Sequence, residues 1–307
     1  MFEAYDSNVD SVILVDEENN ISEGPGFNIF CVDKDGLHSP NQGVLEGITR
    51  HTVLDLAKEM ENLMVLTCDV STSAGLDRFR KTYPEKYVDL GIAEQNLIGI
   101  ASGLANIGFK PICYAISQFL VQRSYEQIRN DLCYHDYPVT LVGTSTGLDN
   151  GALWATHYVI DDIGCVKPLP NIHIYSPSST ESMKKIFHET MKLKHPAYIR
   201  ITKSVFSENV EIKGVNRFVK KNNSDILVIA HGRMVKNSFE AEKIFPKFSI
   251  FAMDKIKPIE DNLKDIVQDF KKIIVIEDNF SSGLYNSICQ FIADKKIDGK
   301  ELYSISV

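Results

Sequence analysis

The sequence predicts an α/β protein: two doubly wound, mostly parallel-sheet domains behind a short β-rich N-terminal extension. Three observations lead there. From Ile48 onward, short runs of Val, Ile and Leu alternate with segments of helical periodicity, the pattern of strands joined by crossover helices. A polar, charged stretch at 206–222 interrupts that alternation, which then resumes. The length of 307 residues suits two domains, and 44% hydrophobic against 24% charged residues can supply two cores.

Residues 1–47 read as strands and turns. SVILVD (11–16) and Phe27–Val32 are β runs, and Asp33-Lys34-Asp35-Gly36 closes the second with turn chemistry, so antiparallel hairpins are expected. The first domain is expected over 48–205. Thr52–Met60 reads as a helix, Leu63–Cys68 as a buried strand, and Tyr87–Gly91 as a strand leading into a helix at Glu94–Ile107. Strands follow at Pro111–Tyr114, Pro138–Val142, Ile172–Tyr175 and Ala197–Ile201, with helices at Tyr125–Leu132 and Glu181–Met191. Residues 206–222 (FSENVEIKGVNRFVKKN) read as a linker. The second domain, 223–307, is expected to hold strands at Asp225–Ala230, Phe248–Met253, Lys272–Ile276 and the closing YSISV, with helices at Lys236–Ile244 and Leu284–Ala293.

Composition excludes several function classes. Lys+Arg number 33 against 41 Asp+Glu, a net charge of −8, so no basic face for nucleic acid is expected. No apolar run reaches the roughly 18–20 residues that span a bilayer. The start, MFEAYDSNVD, lacks the basic region of a signal peptide, and a cytoplasmic protein is expected. The six cysteines, Cys31, Cys68, Cys113, Cys133, Cys165 and Cys289, form no CxxC or Cys/His ligand spacing. Neither a disulfide framework nor a metal site of the chain's own is expected.

The most informative segment is YVDLGIAEQNLIGIASGLANIG (87–108). A strand ends at Gly91 and Glu94 opens the next helix, which places Glu94 at the carboxyl edge of the sheet, where open α/β sheets bind ligands. A glutamate in a first helical turn is also favoured by the helix dipole alone, with no function. His157 lies on the loop GALWATH (151–157) beyond strand Pro138–Val142, at the same edge. A neutral imidazole there suits hydrogen bonding or proton relay near neutral pH.

Gly91-Ile92-Ala93-Glu94-Gln95-Asn96, followed by Gly99, Ala101, Gly103, Gly108 and Pro111, resembles the transketolase family. The likeness continues through Arg123-Ser124-Tyr125-Glu126-Gln127-Ile128-Arg129, Ala155-Thr156-His157, Asp161-Asp162-Ile163, Leu169-Pro170-Asn171 and Ser176-Pro177. It covers the C-terminal half of that family, the pyrimidine-binding and C-terminal domains. It implies thiamine diphosphate, with Glu94 bonded to the cofactor's aminopyrimidine ring and His157 facing substrate. It implies Phe119 lying against that ring and Arg200 near a substrate phosphate. The implied reaction transfers a two-carbon ketol unit between sugars.

Three differences set this chain apart from the family pattern. Ile116 stands where a stacking aromatic is usual, so the ring face is covered without that stacking. Ser145 stands for a further histidine, and Leu153-Trp154 for an acidic-Gly pair, which points the substrate away from the standard pentose phosphates. The Gly-Asp-Gly…Asn motif that holds the diphosphate and Mg²⁺ does not occur in this chain. The resemblance therefore implies a partner subunit carrying that motif, assembled with this chain as a heterotetramer. A beta-type subunit of a 2-oxo acid dehydrogenase, or a non-catalytic subunit that steadies a partner, are the rival readings.

Residues 9–58 resemble class IV aminotransferases, through ISEGPGFNIF (21–30), Pro40 and GVLEGITR (43–50). That likeness implies a pyridoxal phosphate contact for Glu23 and phosphate-binding amides at Ile48 and Thr49. The family's Schiff-base lysine lies upstream of Val12–Asp16, and no lysine precedes Lys34. A remnant without aldimine chemistry is expected.

Overall fold

A computed structural model of the chain describes residues 31–33, 36–38, 60–70, 76–203, 212 and 214–307. Glu23, Ile48, Thr49 and nearly all of the expected helix Thr52–Met60 fall outside those residues. Within the extension, β1 (Cys31–Asp33) and β2 (Gly36–His38) pair antiparallel, with Asp33 opposite Gly36.

Two sheets organise the rest. The first contains β3 (Leu63–Thr67), β4 (Tyr87–Asp89), β5 (Lys110–Ile116), β6 (Thr140–Thr144), β7 (His173–Tyr175), β8 (Ala197–Arg200) and β12 (Lys255–Lys257). Their spatial order is β12-β7-β8-β6-β5-β3-β4, parallel throughout except for β12. The second contains β9 (Arg217–Lys220), β10 (Ile226–Ala230), β11 (Ser249–Ala252), β13 (Lys272–Ile276) and β14 (Glu301–Ile305). Its order is β14-β13-β10-β11-β9, with only β9 antiparallel.

Alternation along the strands decides which helix packs where. Leu63 and Val65 of β3 face one side with Ile112 and Tyr114 of β5, against Phe79 of helix Asp77–Thr82 and Met183, Ile186 and Phe187 of helix Thr180–Lys192. Leu66 and Cys113 face the other side, against Leu97, Ile98 and Ala101 of helix Glu94–Asn106 and Leu120 and Ile128 of the helical run at 119–134. Both faces of the sheet are thus covered, which is why its strands read as continuous apolar runs. Helix Thr180–Lys192 starts on a reciprocal cap: Ser182 N donates to Ser179 Oγ, and Ser179 N donates to Ser182 Oγ.

Two boundaries differ from expectation. Arg217–Lys220, placed in the linker by its charge, forms the edge strand β9. An edge strand with one exposed side tolerates charged residues, so composition hid it. The second difference is β12, which comes from the second half of the chain yet pairs with β7 of the first sheet, Lys255 opposite Tyr175. The core is also continuous across the halves: Leu227, Phe251, Val275 and Ile288 join the same apolar cluster as Leu97 and Leu141. No helix among the described residues is long and apolar enough to cross a membrane.

Candidate active site

The site grows out of the carboxyl edge of the first sheet. After β4 the chain turns at Gly91, whose φ of +65° sits in the left-handed region. A side chain there would meet no neighbour, so the requirement is conformational rather than spatial. Asp89 fastens this turn by accepting from the amides of Gly91 (3.1 Å) and Asp69 (2.9 Å). Helix Glu94–Asn106 then begins without a capping side chain. Its first residue, Glu94, is only 5% exposed. A cavity of about 500 Å³ opens beside it, lined by Ile92, Ala93, Glu94, Gln95, Asn96 and Arg123.

Four side chains form a series that starts at this cavity. Arg123 donates to both oxygens of the Glu94 carboxylate, at 3.1 and 3.3 Å. Its guanidinium carbon lies 3.8 Å from the centre of the Phe119 ring, a cation–π stack. Phe119 in turn meets His157 edge-on, with ring centres 5.2 Å apart and planes at 73°. His157 Nδ1 pairs with Thr156 Oγ1 at 2.8 Å. Three residues expected at the site, Glu94, Phe119 and His157, are therefore joined by Arg123. In the sequence Arg123 stands out only as part of a motif. The signal that could have found it is its spacing, four residues after Phe119 on one helical run.

Ile116 and Ser145 stand at adjoining strand ends. Ile116, the last residue of β5, is opposite Thr144 of β6, and Ser145 follows directly with φ of +58°. Beyond them the loop to His157 is pinned by a bridge between Gly147 and Val159 and by Phe280 N donating to Ile160 O at 2.6 Å. Trp154 in this loop is 80% exposed with φ 60° and ψ −169°, a conformation ordinarily reserved for glycine. Burial pushes the thiols of Cys68 and Cys113 up, so neither supplies a thiolate beside Glu94.

Arg200 corrects the expectation that it faces a substrate phosphate. It is 1% exposed, and its guanidinium donates to Asp162 (3.0 and 3.2 Å), Asp278 (2.7 Å) and the carbonyls of Val159 and Asp278. Burial works against the Arg200 charge, but Asp162 and Asp278 outweigh it and hold the group protonated. Burial alone would push the Asp278 carboxyl up; Arg200 and His231 instead hold it below the usual carboxylate range. Asp162 accepts further from Tyr198 Oη (2.7 Å) and Asn279 Nδ2 (2.6 Å). The Asp161-Asp162-Ile163 motif therefore closes a seam between the two halves of the chain. Its partners lie far apart in sequence, and no local signal announces it.

Comparisons with known proteins point to one family for the larger part of the chain. Residues 46–207 match the transketolase, pyrimidine binding domain, and residues 1–72 match amino-transferase class IV. A protein of Methanocaldococcus jannaschii named as a transketolase C-terminal section is 30% identical, covering 85% of this chain and 86% of that one. A chain of the apulose-4-phosphate transketolase of Phocaeicola vulgatus, itself one subunit of that enzyme, is 29% identical, covering 76% and 78%. The 1-deoxy-D-xylulose-5-phosphate synthase of Clostridium botulinum is 30% identical over 84% of this chain but only 44% of its own length. Among solved structures, a split gene transketolase described as an inactive beta4 tetramer superposes with a TM-score of 0.76 at 25% identity, covering 85% of this chain and 86% of that one. The cavity carboxylate at a strand-to-helix switch and these matches converge: the chain belongs to the transketolase family.

Proposed function

We propose that this chain is the pyrimidine-binding subunit of a split, thiamine-diphosphate-dependent transketolase-like enzyme that transfers a two-carbon ketol unit between sugars. The observation that carries the reading is the Glu94 carboxylate, buried at the strand-to-helix switch and lining a cavity with Phe119 and His157 grouped beside it. The C-terminal-section relative and the apulose-4-phosphate transketolase relative support the split arrangement. The beta4 tetramer supports self-association of such chains.

The residues present fit an aminopyrimidine. A flat heteroaromatic ring needs a hydrogen-bonding carboxyl, an aromatic or aliphatic face and apolar walls. Glu94, Phe119, Ile116, Ile92 and Ala93 are of those types. The bound cofactor supplies a nucleophilic carbon for breaking and making the sugar C–C bond. Glu94, itself buried, would hold a ring nitrogen and share a proton with it. His157 is oriented through Nδ1 by Thr156, which turns Nε2 to a substrate hydroxyl. The diphosphate and Mg²⁺ fall to a partner subunit carrying Gly-Asp-Gly…Asn, since this chain lacks that motif. Ser145 and Leu153-Trp154, which depart from the family pattern, favour a sugar or sugar phosphate other than the standard pentose pair.

Calorimetry of the isolated chain with thiamine diphosphate and Mg²⁺ tests this division of labour. No binding at micromolar concentration is expected until the partner is added. Micromolar binding by this chain alone would overturn the split-subunit reading.

A further inference from the structure

Arg123 sits where a ligand belongs. Its guanidinium is planar, it donates to both Glu94 oxygens at 3.1 and 3.3 Å, and its central carbon lies 3.8 Å from the centre of the Phe119 ring. Those are the two partners that the proposed function gives to an aminopyrimidine: one carboxyl to bond and one aromatic face to cover. A flat group fills a layer about 3.5–4.0 Å thick against a ring, so guanidinium and pyrimidine compete for one slot.

The two ends of this ion pair are buried unequally. The Glu94 side chain is 6% exposed and cannot turn to water, whereas that of Arg123 is 46% exposed along its length. A buried carboxylate without a partner is costly, while a half-exposed arginine gives up one surface pair at little cost. The chain therefore keeps Glu94 paired with a group that can leave without unpacking the core.

We infer that Arg123 is an internal stand-in ligand: in the free chain its guanidinium occupies the ring subsite between Glu94 and Phe119, and it swings out before a planar amidine-type ligand enters. The identity of that ligand as a 4-aminopyrimidine rests on the proposed function; the occupied subsite rests on the Glu94–Arg123–Phe119 geometry. Arg123 then sets how readily the chain accepts its ring. A subsite closed in about nine molecules of ten weakens apparent binding about tenfold.

The test uses the full chain as wild type, Arg123→Met and Arg123→Ala, so that one misfolded variant leaves the other. Two probes, methylguanidinium and 4-amino-2-methylpyrimidine, are titrated by NMR. Both variants are expected to bind each probe at least about tenfold more tightly than wild type, and Glu94→Gln in the Arg123→Met background should abolish the gain. Wild type binding either probe as tightly as the variants overturns the stand-in, as does failure of the variants to bind either. Tighter methylguanidinium binding with no aminopyrimidine binding upholds the stand-in and overturns the thiamine reading instead.

Discussion

Two arginine–carboxylate pairs divide the labour of this molecule. Arg123–Glu94 lies at the carboxyl edge of the first sheet, one partner buried and the other half in water. Arg200–Asp162 lies in the seam between the halves, with both side chains almost wholly buried and Asp278 closing the triad. The same chemistry serves opposite ends. A pair that must open keeps one partner near solvent and few further bonds. A pair that must hold is surrounded by Tyr198, Asn279 and two backbone carbonyls, so no member can leave without stranding another.

The largest expected effect is at the seam. Arg200→Met should destabilise the chain by about 3–5 kcal/mol, because two buried carboxylates lose their cation. Arg123→Met should cost clearly less, because it strands one carboxylate beside an open cavity, whereas Arg200→Met strands two in the closed seam. Denaturant unfolding of both variants checks the ratio, and equal losses would break the distinction between the pairs. Next comes Gly147, which touches both regions: it lies in the site loop with φ of +58°, and a methyl there would collide with the Asp278 carboxylate. Gly147→Ala should cost about 2–4 kcal/mol from overpacking and left-handed strain together, read by the same melts.

A smaller effect follows from acid. The folded-state pKa of Asp278 is depressed, so its contribution is present above the ordinary carboxylate value and lost as pH falls through the lower folded value. Stability of the wild type should decline below about pH 4, and Asp278→Asn should be less stable at neutral pH but show a shallower acid limb. An unchanged acid limb would show that other carboxylates govern it. The smallest effect is at Trp154, where glycine relieves about 1 kcal/mol of backbone strain and returns most of it as unfolded-state entropy. Thermal unfolding of Trp154→Gly should stay close to wild type.

The two regions were unequally legible in the sequence. Glu94 stood out because a strand, a Gly turn and a helix with small residues follow one another within a single segment. Phe119 and His157 are singled out by motif alone, and only the fold shows that their rings meet edge-on. Arg123 was visible but unassigned, since only the fold shows which carboxylate lies within its reach. The seam was illegible: Arg200 finds Asp162 38 residues away and Asp278 78 residues away, and an arginine at a strand end reads alike whether it faces substrate or core. The strands β9 and β12 were missed for a related reason. Each is short and lysine- or arginine-rich, and pairing on a sheet edge, not composition, makes it a strand.

The central claim is that Glu94 acts on a cofactor ring rather than merely opening a helix. In the complex reconstituted with its partner subunit, the rate of hydrogen–deuterium exchange at the thiazolium carbon of thiamine diphosphate measures this directly. Glu94→Gln keeps the size and the fold while removing the carboxyl. Exchange should slow by at least about a hundredfold, and excess cofactor should restore little of it, because the loss is in proton transfer rather than occupancy. Equal exchange in the two complexes would contradict the account and leave Glu94 as a helix-start carboxylate.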